Sequence, residues 1–166
     1  MVRRAEGGLI LIVEDDALLV AALKRGASDA GLRTIVVMDG LNVVEIASVE
    51  KPDLILLDVT LPWADGRDIL QSLKRAPETS KIPVFVHSAS GLQTDRLLAL
   101  GLGADDYFEK GRSVHILFRR IVHLIENSGR RAPSRPAGAQ AKRNAPGRGT
   151  SPRLARVYRI GDRKKA

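Results

Sequence analysis

Short, uninterrupted apolar runs alternate along the chain with longer stretches in which apolar residues recur every three or four positions. LILIV (9–13), RTIVVM (33–38), DLILL (53–57), IPVFVH (82–87) and ADDYF (104–108) read as strands. Between them, DALLVAALKRGASDAG (16–31), GLNVVEIASVEK (40–51), DGRDILQSLKRA (65–76), LQTDRLLALGL (92–102) and VHILFRRIVHLI (114–125) read as helices. The first helix carries Leu18, Leu19, Ala22, Leu23, Ala27 and Ala30 as its apolar positions and stops at Gly31, a natural C-terminal cap. The last aligns Val114, Leu117, Ile121, Leu124 and Ile125 on one face. No internal repeat is visible.

Strand alternating with helix, five times over, predicts an α/β fold: a doubly wound, five-stranded parallel sheet with five helices on its two faces. Runs such as LILL, apolar at every position, are what a strand covered on both faces requires. In such sheets ligands bind outside the carboxyl ends of the strands, so chemistry is sought just after each one.

Composition narrows the class. The 166 residues contain no cysteine, which excludes a disulfide scaffold, a thiolate metal site and a cysteine nucleophile, and fits a cytoplasmic setting. No apolar stretch approaches the roughly 20 residues that span a bilayer, so neither a membrane segment nor a signal peptide is expected. The net charge of +8 is unevenly distributed: residues 1–128 hold 15 basic and 18 acidic side chains, residues 129–166 hold 12 and 1. Composition changes at the same place, because GRRAPSRPAGAQAKRNAPGRGTSPR can bury almost nothing. A domain over 1–128 and a basic, disordered tail over 129–166 are therefore expected. Within the tail, RLARVYRI (153–160) could form a short strand or docking segment.

The strand ends gather a particular set of groups: Glu14, Asp15 and Asp16 after the first strand, Asp58 after the third, Ser88 after the fourth, Glu109 and Lys110 after the fifth. Carboxylates crowded in a partly desolvated pocket repel, and a hard divalent cation relieves that repulsion; oxygen ligands alone favour Mg²⁺. Taken singly, EDD also reads as a solvated loop or a helix cap, Lys110 as a surface lysine and Ser88 as a turn former. Together they suit a carboxylate acting as a nucleophile toward phosphorus, with Mg²⁺, an ammonium and a hydroxyl neutralising the transferred charge.

ILIVEDD, DLILLDVTLPWADG, PVFVHSAS and GADDYFEKG, in that order, resemble the receiver domain of bacterial two-component response regulators over roughly residues 8–127. The resemblance implies a flavodoxin-like receiver fold with Asp58 as phosphoacceptor. It implies Glu14, Asp15, Asp58 and the backbone carbonyl of Thr60 around the metal, Ser88 and Lys110 as catalytic groups, and Ser88 with Tyr107 as the switch. Partners would be a histidine kinase or histidine phosphotransfer protein and a downstream protein, with the domain a monomer or a phosphorylation-dependent dimer. It would be a signalling phosphoacceptor that assists its own phosphorylation and dephosphorylation. The family usually places proline after the lysine, where this chain has Gly111; a trans peptide and a less firmly held loop are expected there. The three histidines offer no supported phosphodonor site.

Two other readings stay in view. A flavodoxin-like nucleotide-binding protein would need a phosphate-cradling loop after the first strand, where EDD repels phosphate. A phosphorylation-independent scaffold, or a protein binding nucleic acid non-specifically through its basic tail, would also keep the fold; the intact acids, hydroxyl and lysine argue against it.

Overall fold

The computed structural model describes residues 7–128 and 156–158. Strands β1 (Leu9–Val13), β2 (Arg33–Val37), β3 (Leu54–Leu57), β4 (Val84–Ser88) and β5 (Asp106–Glu109) alternate with helices α1 (Ala17–Asp29), α2 (Val43–Glu50), α3 (Gly66–Arg75), α4 (Gln93–Gly101) and α5 (Val114–Asn127). The five expected strands and five expected helices are all present, in the expected order. A sixth strand, β6 (Arg156–Tyr158), comes from RLARVYRI and pairs in parallel with β2, Ile35 facing Arg156 and Val37 facing Tyr158. The remainder of the 129–166 extension, and with it the expectation of disorder, lies outside the described residues.

The sheet order is β5-β4-β3-β1-β2-β6, all pairings parallel. Each strand splits its apolar residues between two layers, as a period of two demands. Ile10, Ile12, Leu54 and Leu56 pack with Val20, Leu23 and Ala27 of α1 and Leu117, Phe118 and Ile121 of α5. Leu11, Val13, Ile55 and Leu57 pack with α2, α3 and α4 through Val43, Ala47, Leu70, Leu73 and Ala99. Full burial on both faces explains why LILIV and LILL show no polar alternation.

Two helical faces differ from the sequence reading. Leu18 is 84% exposed, whereas Val20 is buried. Asp16, the N-cap, accepts hydrogen bonds from the Leu18 and Leu19 amides and thereby fixes a phase in which Val20, Leu23 and Ala27 face the sheet. In α5 the buried set also includes Phe118 and Val122, giving a wider stripe than the five residues expected. At the edge strand β5, Asp106 is gripped by Arg120 of α5 at 2.6 and 2.7 Å, and the guanidinium lies over the rings of Phe85 and Phe108.

Candidate functional site: an acidic pocket at the strand ends

Strand order reverses between β1 and β3, and the acids lie at that switch. The Asp58 amide donates to the Val13 carbonyl at 2.9 Å and the Glu14 amide to the Val37 carbonyl at 3.1 Å, so the two acidic residues leave adjacent strands side by side. Both are buried, Glu14 at 1% and Asp58 at 2% exposure. Asp58 continues the β3 ladder, and its carboxylate enters a pocket built by the neighbouring strand ends.

Lys110, following β5, reaches across the sheet edge. Its ammonium lies 2.6 Å from Asp58 Oδ2 and 2.8 Å from Glu14 Oε2. The other Asp58 oxygen, Oδ1, accepts the Thr60 amide at 2.8 Å. Burial pushes the Glu14 carboxyl pKa up, an effect the Lys110 ammonium opposes without cancelling it. For Lys110 burial alone would depress the pKa, but hydrogen bonds to Asp58 and Glu14 outweigh it and the pKa is raised. The ammonium is therefore kept charged where it is needed.

Ligand oxygens of Glu14, Asp15 and Asp58 all lie within 4.8 Å of one another. Three carboxylates close together, two of them buried and paired with a single ammonium, leave an excess of negative charge, and an all-oxygen donor set of this kind fits Mg²⁺. The EDD triplet divides its work: Glu14 and Asp15 face the pocket, and Asp16 caps α1.

Ser88 is buried at the end of β4, where its hydroxyl accepts the Ser90 amide at 3.2 Å; its carbonyl accepts the Lys110 amide at 2.7 Å. Tyr107, within β5, is 5% exposed, and its hydroxyl donates to the Ser90 carbonyl at 2.6 Å. Thr60 is exposed and forms a bridge to Asp65, the N-cap of α3. Gly111 has φ +85°, and no cis peptide occurs among the described residues. The expected trans linkage is present, and the Lys110 side chain is in place without the family's proline. Trp63 is 69% exposed.

In the sequence Gly66 reads only as the turn into the third helix, and Ser90 carries no assignment at all. A Cβ on Gly66 would lie 2.4 Å from the Asp58 carbonyl oxygen and from Val59 Cα, so the start of α3 can press on the backbone of the site only at a glycine. Ser90 makes four hydrogen bonds, to Ser88, Leu92, Asp95 and Tyr107, and its only sequence signal is a position two residues beyond Ser88.

The family model described as response regulator receiver domain matches residues 10–122. The chain belongs to the response regulator receiver family. The alkaline phosphatase synthesis transcriptional regulatory protein PhoP of Bacillus subtilis is 34% identical over 125 residues, covering 75% of this chain and 51% of that protein. The transcriptional regulatory protein CpxR of Escherichia coli is 37% identical over 119 residues, covering 72% of this chain and 50% of that one. The receiver thus spans about half the length of the curated relatives it matches. Among solved structures, the receiver domain of the sensor histidine kinase PA1611 from Pseudomonas aeruginosa, with a magnesium ion coordinated in its active site cleft, superposes with a TM-score of 0.66 at 29% identity, covering 72% of this chain and 98% of that one. The receiver fold, the two-component class and an acidic pocket suited to Mg²⁺ and to aspartate phosphorylation are therefore established. Among the described residues no helix is long and apolar enough to cross a membrane.

Proposed function

We propose that Asp58 accepts a phosphoryl group from the phosphohistidine of a histidine kinase or histidine phosphotransfer protein. The observation that carries this reading is the placement of one buried carboxylate between the Lys110 ammonium and the Thr60 amide, within 4.8 Å of two further acids. An Asp58 oxygen attacks phosphorus, the P–O bond forms as the P–N bond breaks, and the imidazole departs with the electron pair. Lys110, already charged, balances the negative charge that the phosphoryl oxygens bring. The Ser88 hydroxyl, at the neighbouring strand end, donates to one of those oxygens. Water later attacks phosphorus and restores the Asp58 carboxylate, so the domain takes part in its own dephosphorylation.

Glu14, Asp15, Asp58 and the Thr60 carbonyl would hold Mg²⁺. When bound, the ion supplies a hard positive charge that offsets the acids and the phosphoryl oxygens. The output is a changed surface read by a downstream protein, with Ser88 and Tyr107 as the residues that rearrange. The cysteine-free sequence suits a reducing compartment, and we place the exchange in the cytoplasm.

The test is incubation with acetyl phosphate and Mg²⁺, followed by intact mass and phosphate-affinity electrophoresis. Wild type gains one phosphoryl group and Asp58→Asn gains none. Wild type that remains unmodified, while binding neither Mg²⁺ nor beryllofluoride, overturns the reading.

A further inference from the structure

Ser90 lies outside the acidic pocket, yet it is bonded to Ser88 at the end of β4, to Tyr107 of β5 and to Asp95 of α4. Its amide donates to the Ser88 hydroxyl at 3.2 Å, and its carbonyl accepts the Tyr107 hydroxyl at 2.6 Å. Its own hydroxyl donates to Asp95 Oδ2 at 2.5 Å and accepts the Leu92 amide at 3.2 Å. Asp95, in the first turn of α4, is in turn paired with Arg67 of α3 at 3.5 Å. These residues wall a cavity of about 360 Å³ between α3, α4 and the ends of β4 and β5. The α4 N-cap, Leu92, has no side chain able to cap, and the Ser90 hydroxyl instead accepts the Leu92 amide, fixing the chain at the point where it enters the helix.

We propose that Ser90 is the positioning residue that transmits movement of the Ser88 hydroxyl to α4, with Asp95 and Arg67 holding the helix to it; the inference rests on the phosphoacceptor reading above. The chemistry follows from the hydroxyl's dual capacity. Ser88 Oγ can donate its proton toward a phosphoryl oxygen while its lone pairs keep the Ser90 amide, so the loop after β4 follows the hydroxyl. Because the Ser90 side chain is bound to Asp95 by a short, charge-assisted hydrogen bond, displacement of the loop carries the first turn of α4 with it. The Arg67–Asp95 pair is half exposed and therefore weak, which suits a contact that must yield during switching. Ser90 thus separates two functions: its backbone serves Ser88 and Tyr107, and its hydroxyl serves α4.

That separation makes the proposal testable by Ser90→Ala, which keeps both backbone hydrogen bonds and deletes both side-chain ones, and by Asp95→Ala, which removes the acceptor on α4. Amide hydrogen exchange over residues 93–96 is measured with and without beryllofluoride and Mg²⁺, alongside beryllofluoride affinity. In wild type the ligand changes exchange in this turn by about fivefold or more. In both variants affinity stays within about threefold of wild type while the ligand-induced change in the turn falls below about twofold. A variant in which the turn exchanges faster but keeps the wild-type ratio of bound to free rates shows Ser90 to be a structural cap only, and overturns the proposal. So does a wild type that binds beryllofluoride without any response in α4. A wild type that binds no beryllofluoride instead overturns the phosphoacceptor reading and the coupling with it, an outcome distinguishable because affinity is read separately.

Discussion

Lys110 and Asp58, 52 residues apart in sequence, meet at 2.6 Å, and the same ammonium lies 2.8 Å from Glu14. One cation thereby holds together two buried acids on adjacent strands. Deleting it leaves two carboxylates facing each other out of water. For Lys110→Met we expect a loss of about 3 kcal/mol in urea denaturation at pH 7.5. Part of the loss returns in millimolar Mg²⁺, because the ion offsets the same charge. Phosphorylation by acetyl phosphate falls at least tenfold. Full stability in Mg²⁺-free buffer would show that the acids do not depend on the lysine.

Gly66 sets how closely α3 approaches the phosphorylation edge. A methyl group there would meet the Asp58 carbonyl oxygen and Val59 Cα at 2.4 Å, and both are backbone atoms that cannot rotate away. Gly66→Ala is expected to destabilise by about 2 kcal/mol, as overpacking of a closed site does. It should also weaken Mg²⁺ binding by moving the Asp58 backbone. Calorimetric titration with Mg²⁺ beside a denaturation curve checks both effects.

Gly111 occupies the position where relatives of this class usually carry proline. Its φ of +85° is open to glycine and closed to proline, whose ring holds φ near −65°. Restoring the family residue should therefore harm this chain. Gly111→Ala is expected to cost about 1 kcal/mol, and Gly111→Pro more. Only the proline variant should slow phosphorylation markedly, by displacing Lys110. A proline variant as fast as wild type would show that the loop can adopt a second course.

His87 supplies a pH dependence. It is buried beside Phe108, with no hydrogen-bond partner for Nδ1 among the described residues, and burial, reinforced by the Lys110 charge, lowers its pKa to about 4. A folded pKa below the unfolded value of about 6.5 means that the unfolded chain binds the proton first. The contribution is therefore complete above pH 6.5 and is lost as pH falls toward 4. Between pH 7.5 and pH 5 this group alone should remove about 2 kcal/mol. His87→Leu should show a correspondingly shallower loss over that interval in denaturation measured at both pH values. An unchanged slope would place the histidine's proton affinity elsewhere.

Much of this protein was legible before folding was considered. A strand buried on both faces must be apolar at every position, so LILIV and LILL declare themselves, and helices between them force a parallel, doubly wound sheet. Once the sheet is parallel, residues that follow strands share one edge. That is why Glu14, Asp15, Asp58, Ser88 and Lys110 could be gathered from sequence alone.

Tertiary structure decided what periodicity does not encode. Leu18 and Val20 are equally apolar, and the cap at Asp16 chose which of them faces the sheet. The coupling of Ser88 to α4 depends on the course of a loop whose residues, Ser90 and Asp95, look like ordinary turn and helix-start residues until their atoms meet. RLARVYRI is legible as a short strand, but that Arg156–Tyr158 pairs with the edge of β2 is decided by the fold. Local sequence sets which residues are buried in a strand or helix, through repeating geometry. Contacts between loops are set by the packing of distant elements, and no repeat along the chain records them.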